Sequence, residues 1–418
     1  MNDRREKNEV STNNESLTIK PQELKKKIDK GEEIFILDVR NQKEHDLWSV
    51  SYDKYKDSPI IPIDQISNKE SLQLIPKDKE IVTFCTHGQR SFSAAKTLAS
   101  LGYKVRTIEG GLDGWSTLYD IAPIDTGSKD IKIWQIRRIS KGCMSYIIAS
   151  VQGKNALLLD ATCNIDNVVN ELVEEHGLKI SNIIDTHMHA DHLSGSTRLG
   201  DLYGGEIDLS TFEKYNYENI SSGKYSNSRQ IKDGEKLRVS DSVALEAIHT
   251  PGHTDGSLSF KLEIQKETKK AADQVESIKD DIAKDQTQIF LFTGDTIFVN
   301  GVGRPDLHNK SEEYAKKLFQ TYREKIFNLP DETIILPSHY NASFDHEKPI
   351  YNTIGSIKQK LTSITNSENE FVKFVTTNIP PQPMNYEKIV LFNKNLTSCE
   401  TVDQKDLESG PNSCGISA

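Results

Sequence analysis

Three histidines and an aspartate fall within the six residues from His187 to His192, in the run Thr186-His187-Met188-His189-Ala190-Asp191-His192. Imidazole and carboxylate together suit zinc, iron or manganese, and no thiolate in the run suggests a structural zinc site. More donors follow: His253 in Thr250-Pro251-Gly252-His253-Thr254, Asp295 in Phe292-Thr293-Gly294-Asp295-Thr296, and His339 in Leu336-Pro337-Ser338-His339-Tyr340. A solvated polar loop would explain the first run but not these later ones. A different chemistry sits earlier, in Cys85-Thr86-His87-Gly88-Gln89-Arg90. A cysteine between a strand and a helix N-terminus meets backbone N–H groups and a helix dipole that stabilise an anion. Such a setting lowers the thiol pKa and favours the nucleophilic thiolate. Arg90 adds a fixed positive charge, and His87 is a further candidate to meet a substrate. A buried structural cysteine is the plain alternative, but it leaves Gly88 and Arg90 unexplained.

The elements around these residues read as strands that end in functional loops. Ile183-Ile184 precedes the histidine run, and Leu245–Ile248, Ile289–Phe292 and Thr333–Leu336 precede His253, Asp295 and His339. Ligands at the ends of successive strands converge on one rim of a sheet sandwich. Tyr146–Ala149 and Ala156–Asp160 read as a strand pair, and Val168, Val169, Leu172 and Val173 recur at helical spacing up to Gly177. In the N-terminal part, a helix is expected over Pro21–Lys30, closed by Gly31. Ile34–Val39, Ile81–Phe84 and Val105–Ile108 read as buried strands, with a helix over Ser91–Leu101 closed by Gly102.

The 418 residues leave room for two or three domains. Residues 1–16 read as a disordered leader, 17–122 as a first domain, Asp120–Asp130 as a linker, 131–395 as a second domain, and 396–418 as a tail over the surface. Within the second domain, 265–286 is charged, with Ala271, Val275, Ile278 and Ile282 on one helical stripe. A solvated surface helix or helical hairpin is preferred there; the weaker alternative is an oligomer contact, which would serve a homodimer. A net charge of −10 argues against a general nucleic-acid binder. Met1–Glu15 lacks an apolar core, so no secretory signal is expected, and no long apolar run points to a membrane. The five cysteines are scattered, so no disulfide framework is expected and a reducing cytoplasm fits. Cys143, Cys163, Cys399 and Cys414 have no partners at metal spacing and read as non-catalytic.

The first domain resembles the rhodanese family of sulfurtransferases. The resemblance rests on Leu37-Asp38-Val39-Arg40, on Cys85–Arg90 with Ser91, and on Glu109-Gly110-Gly111 with Trp115. Four residues separate Cys85 from Arg90, a shorter loop than that of the related phosphatases. The resemblance implies an α/β domain with a parallel sheet, in which Cys85 carries sulfane sulfur as a persulfide and Arg90 steadies an anionic donor such as thiosulfate. The stretch Trp48–Ile63 departs from the family pattern.

The second domain resembles the metallo-β-lactamase superfamily, which implies an αβ/βα sandwich with metal at one edge. Two enzyme types in that superfamily share the ligand positions. A glyoxalase II-type thioester hydrolase holds two zinc ions: His187, His189 and His253 on one, Asp191, His192 and His339 on the other, and Asp295 bridging. A persulfide dioxygenase holds one Fe(II) on His187, His253 and Asp295, with His189, Asp191, His192 and His339 orienting ligands and relaying protons.

The segment Gly301-Val302-Gly303-Arg304-Pro305-Asp306-Leu307 and the later Glu370–Phe374 and Asn378–Pro381 are similar to persulfide dioxygenases. That similarity implies that Arg304 helps bind substrate. Tyr340, adjacent to His339, stands one position nearer than the family's substrate-contacting tyrosine. The fused rhodanese adds weight, since a persulfide dioxygenase consumes the kind of sulfur a rhodanese moves. The expectation is therefore oxidation of glutathione persulfide with O2 to sulfite and glutathione at one Fe(II) per chain, coupled to sulfane-sulfur transfer between thiosulfate and glutathione. The alternatives are the dinuclear zinc hydrolase and a non-catalytic sulfane-sulfur carrier or sensor.

Overall fold

The computed structural model describes residues 17–50, 52, 59–217, 227–266, 287–307, 310–340, 345–382 and 385–417. The leader 1–16 and all but the first two residues of the charged stretch 265–286 lie outside the described residues. The first domain is built on β1 (Thr18–Ile19), β2 (Ile34–Asp38), β3 (Glu80–Phe84) and β4 (Val105–Ile108), in the order β1-β4-β3-β2. All three pairings are parallel. Parallel strands covered on both faces read as unbroken apolar runs, and Ile81, Val82 and Phe84 of β3 are all fully buried. The helix Gln89–Ser100 packs Ala94, Ala95 and Leu98 against the sheet.

The second domain opens with β5 (Tyr119–Ile124), β6 (Ile131–Arg138), β7 (Met144–Ser150), β8 (Asn155–Leu159), β9 (Lys179–Ile184), β10 (Glu206–Ser210) and β11 (Ser228–Ile231). They form one seven-stranded sheet in reverse chain order. Then come β12 (Lys236–Arg238), β13 (Ala244–His249), β14 (Leu258–Gln265), β15 (Thr287–Gly294), β16 (Ile297–Phe298), β17 (Gly301–Gly303), β18 (Ile334–Pro337), β19 (Asn352–Thr353) and β20 (Gly415–Ser417). A six-stranded sheet runs β12-β13-β14-β15-β18-β19, and β16-β17-β20 form a small third sheet.

One apolar cluster unites Tyr146, Ile148 and Leu157 of the first large sheet with Phe260, Phe290 and Phe292 of the second, so the two pack face to face. The helix Asp166–His176 covers the outer face of one sheet through Val169 and Leu172. Ser311–Thr321 and Glu368–Thr377 cover the other through Leu318 and Phe371. The result is an α/β sandwich of the expected kind, preceded by the parallel-sheet domain.

Three expectations are corrected. Tyr119–Ile124 is a strand, not linker; it pairs antiparallel with β6 at the edge of the sheet. An edge position tolerates Pro123, whose missing donor disguised the strand. Residues 396–417 do not trail over the surface. Leu396, Cys399, Glu408, Cys414 and Ile416 are all buried, and β20 pairs with β17. The elements there are too short to show a period. Finally, Cys163 and Cys399 form a disulfide across 236 residues of chain.

Candidate active sites: a buried metal set and a cysteine loop

Each metal-ligand candidate stands just past a strand end. The His187–His192 loop follows β9, His253 follows β13, Asp295 follows β15 and His339 follows β18. Asp160, just after β8, organises the loop from a left-handed backbone (φ 51°). Its carboxylate accepts from Thr186 N at 2.7 Å, Thr186 Oγ1 at 3.0 Å and Ser338 Oγ, and lies 3.2 Å from His189 Nε2. Asn393, on the helix Tyr386–Lys394, donates to the carbonyls of His189 and His192, both at 2.9 Å. Glu408 accepts from Leu193 N and pairs with Arg138. Sequence reasoning missed all three, because their signal is a contact between distant segments and not a local motif.

The ligand atoms fall into separate groups. His187, His253 and Asp295 bring theirs within 4.8 Å of one another. Asp295 Oδ2 lies 3.6 Å from both His187 Nε2 and His253 Nε2. These three atoms are buried and have no hydrogen-bond partner. Unpaired buried polar atoms are costly unless something else satisfies them, and two neutral nitrogens with a carboxylate oxygen are what a metal ion would satisfy. The backs of the rings are fixed: His253 Nδ1 donates to the Arg304 carbonyl at 2.9 Å, and His187 Nδ1 lies 2.9 Å from Thr186 Oγ1. His189 falls in a different group, with Asp160 and Asp185.

Asp191, His192 and His339 form another group, and Cys143 joins it. His339 Nδ1 is 2.6 Å from Asp295 Oδ1. Its Nε2 lies 2.8 Å from Asp191 Oδ2 without hydrogen-bond alignment.

The two groups differ electrically. Burial, then the neighbouring His189, His253 and His339 rings, hold His187 well below the ordinary histidine range. Burial also lowers His253. Both are therefore neutral at pH 7, as ligation requires. At His339 burial opposes charge, but the Asp191 and Asp295 carboxylates outweigh it and raise the imidazole well above its ordinary value. His192 is raised to about 10 against burial by Asp191 and Cys143.

Four residues singled out in the sequence have partners that the chain order does not show. Cys143 and Cys414 have no partners at metal spacing along the chain, yet in the fold Cys143 Sγ is 3.8 Å from Asp191 Oδ2, and Cys414 groups with Asp295 and His339. Neither partnership is visible as spacing along the chain. Burial and the Asp191 and Asp295 carboxylates push the Cys414 thiol well above its ordinary value, so it stands protonated. Arg304 is fully buried, and its guanidinium donates to Asp306 and to the carbonyls of Pro380, Pro381 and Ser413. All five of its N–H groups are engaged, so none remains for a substrate. The Tyr340 hydroxyl donates to the Arg138 carbonyl at 3.1 Å; that residue lines a cavity beside His339 without offering it that hydroxyl proton.

The cysteine loop is simpler. Gly88 opens the helix Gln89–Ser100 at φ 89°, and its N–H donates to Cys85 Sγ at 3.2 Å. Leu112 N and Asp113 N donate to the carbonyls of Cys85 and Thr86. This contact requires glycine at 111: a Cβ there would lie 2.3 Å from Cys85 O. Arg90 is paired with Glu44 through its two terminal guanidinium nitrogens. The His87 side chain is 67% exposed and rests on Asp113. The domains meet close by, where Trp48 Nε1 donates to the Ser140 carbonyl at 2.6 Å.

Comparison with known proteins agrees with this architecture. Residues 20–118 match the family profile of the rhodanese-like domain, and residues 141–266 that of the metallo-beta-lactamase superfamily. The chain thus carries a rhodanese-like domain followed by a metallo-β-lactamase-fold domain. It is 28% identical over 247 residues to the mitochondrial persulfide dioxygenase ETHE1 of Homo sapiens, covering 58% of this chain and 80% of that one. It is 26% identical over 196 residues to a hydroxyacylglutathione hydrolase of a Polaromonas species, covering 47% of this chain and 61% of that one. A crystal structure of a metallo-beta-lactamase from Staphylococcus aureus superposes with a TM-score of 0.52 at 26% identity, covering 64% of this chain and 73% of that one.

Proposed function

We propose that the chain is a persulfide dioxygenase with its own sulfurtransferase domain, oxidising glutathione persulfide to sulfite and glutathione. The observation that carries this reading is the grouping of His187, His253 and Asp295, whose inward atoms are bare, with His189 grouped instead with Asp160 and Asp185; His189 Nδ1, His192 Nε2 and His339 Nε2 are bare as well. Two imidazoles and one carboxylate make a face that leaves positions open for substrate and oxygen. Bound there, Fe(II) supplies the redox chemistry that joins O2 to sulfur. The protein's part is to keep His187 and His253 neutral, to hold Asp295 against His339, and to exclude water, since all three ligands are at most 1% exposed. His189, Asp191, His192 and His339 orient the ligands and carry protons. Cys85 carries the sulfane sulfur of thiosulfate, with Arg90 and the exposed His87 at the loop. The proposed compartment is the cytoplasm: Cys85, Cys143 and Cys414 are free thiols, and the Cys163–Cys399 disulfide stands against them as a buried pair. Among the described residues no helix is long and apolar enough to cross a membrane.

A second reading, a dinuclear zinc thioester hydrolase, is favoured by the group of Asp191, His192 and His339 with Cys143. Metal analysis beside an oxygen electrode separates the two. The expected result is about one iron per chain and oxygen uptake on glutathione persulfide. Two zinc ions, with thioester hydrolysis and no oxygen uptake, would replace this reading with the second.

A further inference from the structure

His87 stands two residues beyond Cys85 in the loop Cys85–Arg90, with its side chain 67% exposed. Its Nδ1 lies 2.5 Å from Asp113 Oδ2. A carboxylate can only accept, so Nδ1 carries the proton and Nε2 keeps its lone pair. Among the described residues Nε2 has no partner. An ordinary surface ion pair would account for this contact if both partners were exposed, as Arg90 and Glu44 are in part. Asp113 differs: its side chain is only 8% exposed. Burying a carboxylate costs free energy unless partners meet it, and here the partners fix the direction in which it faces the imidazole.

Those partners come from both domains. Asp113 N donates to the Thr86 carbonyl at 3.1 Å, and the Asp113 carbonyl accepts from Ser116 Oγ at 3.0 Å. The second carboxylate oxygen, Oδ1, accepts from Ser409 Oγ at 2.8 Å. Ser409 belongs to the C-terminal segment of the metal domain, and Lys141 brackets it: Nζ donates to the carbonyls of Glu408 at 2.7 Å and Gly410 at 3.0 Å. The series Lys141, Ser409, Asp113 thus aims one imidazole of the sulfurtransferase loop. The other charged groups on the elements around that loop are engaged elsewhere or exposed. Arg90 pairs with Glu44, Asp38 pairs with Arg40 and His45, and Glu109 is exposed. Asp113 is the charged group that meets His87.

We infer that His87 is the general base of sulfur transfer to a thiol, with Asp113 as its positioning residue. This rests on the reading of Cys85 as the sulfur carrier and deepens it. A thiol acceptor R–SH such as glutathione arrives mostly protonated, since a cysteine-type thiol has a pKa of about 8.5, and the thiolate is the nucleophile. His87 Nε2 takes the thiol proton as the acceptor sulfur attacks the outer sulfur of Cys85–S–S⁻. The new S–S bond forms on R–S, and the bond from the outer sulfur to Cys85 Sγ breaks. Its electron pair stays on Sγ as a thiolate, which the Gly88 N–H and the start of the helix Gln89–Ser100 stabilise. The step balances as Cys85–S–S⁻ + R–SH + His87 → Cys85–S⁻ + R–S–S⁻ + His87–H⁺, with no outside oxidant or reductant. The persulfide released is the substrate proposed for the metal domain. Loading of Cys85 from thiosulfate needs no base, because neither the donor dianion nor the Cys85 thiolate has a proton to lose.

The test uses the full chain without oxygen, so that the metal domain consumes no persulfide. Cys85 is loaded with thiosulfate, the sulfite released is counted, and the loaded chain is mixed rapidly with glutathione or with sulfite, whose dianion brings no proton. In His87→Gln, loading and return of sulfur to sulfite should match wild type. Transfer to glutathione at neutral pH should fall by about 100-fold, the low end of a general base's effect. The deficit should close as pH rises past the acceptor's own pKa of about 8.5, where the thiol arrives ionised, and added imidazole should restore part of the rate. Asp113→Asn should show the same pH-dependent deficit, because an amide can hold the wrong tautomer, and Ser409→Ala a smaller one. Should Asp113→Asn fail to fold, His87→Gln decides alone. A wild-type rate to glutathione in His87→Gln overturns the base role. So does a deficit that is the same at every pH, or the same for sulfite as for glutathione. Failure of wild-type Cys85 to take sulfur from thiosulfate overturns the sulfurtransferase reading itself.

Discussion

The two sites solve opposite problems. The Cys85 loop takes its chemistry from the backbone of a few consecutive residues, and its charged partners stay in solvent: the Arg90 side chain is 42% exposed. The metal set takes its chemistry from side chains that are distant in sequence, every one of them nearly inaccessible. A backbone-built anion site tolerates water, because N–H donors and a helix dipole need no dry surroundings. A metal face needs water excluded and its ligands fixed by partners of their own. Changes at the loop should therefore act locally, and changes around the metal set should propagate through its supports.

The sharpest break of that comparison is Cys85→Ser. Removing the nucleophile should bring thiosulfate–glutathione sulfur transfer to background, while oxygen uptake on preformed glutathione persulfide stays near wild type, because each domain has a complete set of groups. Equal loss of both activities in a folded, iron-loaded variant would show one coupled site. Next, Asp295→Asn removes the only carboxylate of the three-residue set. Iron affinity and oxygen uptake should fall by more than the ~100-fold typical of losing an outer partner, with sulfur transfer intact. Full iron occupancy in that variant would move suspicion to Asp191.

Asp160→Asn tests the supports. The Asp160 carboxylate stays ionised against burial through His189, Ser338 and the Thr186 N–H. An amide oxygen can serve some of these donors but brings no charge. Iron retention against a chelator should weaken by ~10–100-fold, and rhodanese activity should not change. If iron binding were unaffected, the claim that the metal set depends on its outer partners would fail.

The residues most visible in the sequence were those whose chemistry is local. Cys85–Arg90 announces itself because strand, glycine turn and helix start are contiguous. The metal ligands were visible one at a time, because each ends an apolar run. The grouping of Cys143 with His339 and of Cys414 with Asp295 was not visible, since sheet closure and tail docking create those neighbours. Arg304 shows the opposite failure. A charged residue in a glycine-rich segment looked like a substrate contact, but the fold uses its whole guanidinium to hold the tail. Pro123 hid an edge strand, and the short elements after residue 396 gave no period to detect.

The smallest expected effect bears on the exposed half of the comparison. Glu44 holds Arg90 through two contacts beside Cys85. It also closes the capping box of the helix Gln42–Leu47 with Asn41. Glu44→Gln keeps the cap, which accepts glutamine, and removes only the charge. A partly exposed pair of this kind contributes at most about 1 kcal/mol, so freeing Arg90 for an anionic donor should lower KM for thiosulfate by no more than ~5-fold. The Glu44 carboxyl lies below its ordinary value, chiefly through Arg90. A depressed carboxylate contributes above its ordinary pKa and loses that contribution only as pH falls through the lowered value. The ratio of variant to wild-type KM should therefore be flat from about pH 5.5 to about pH 8. A KM that rises, or a ratio that drifts across that window, would mean that Glu44 positions Arg90 for the donor and does not compete with it.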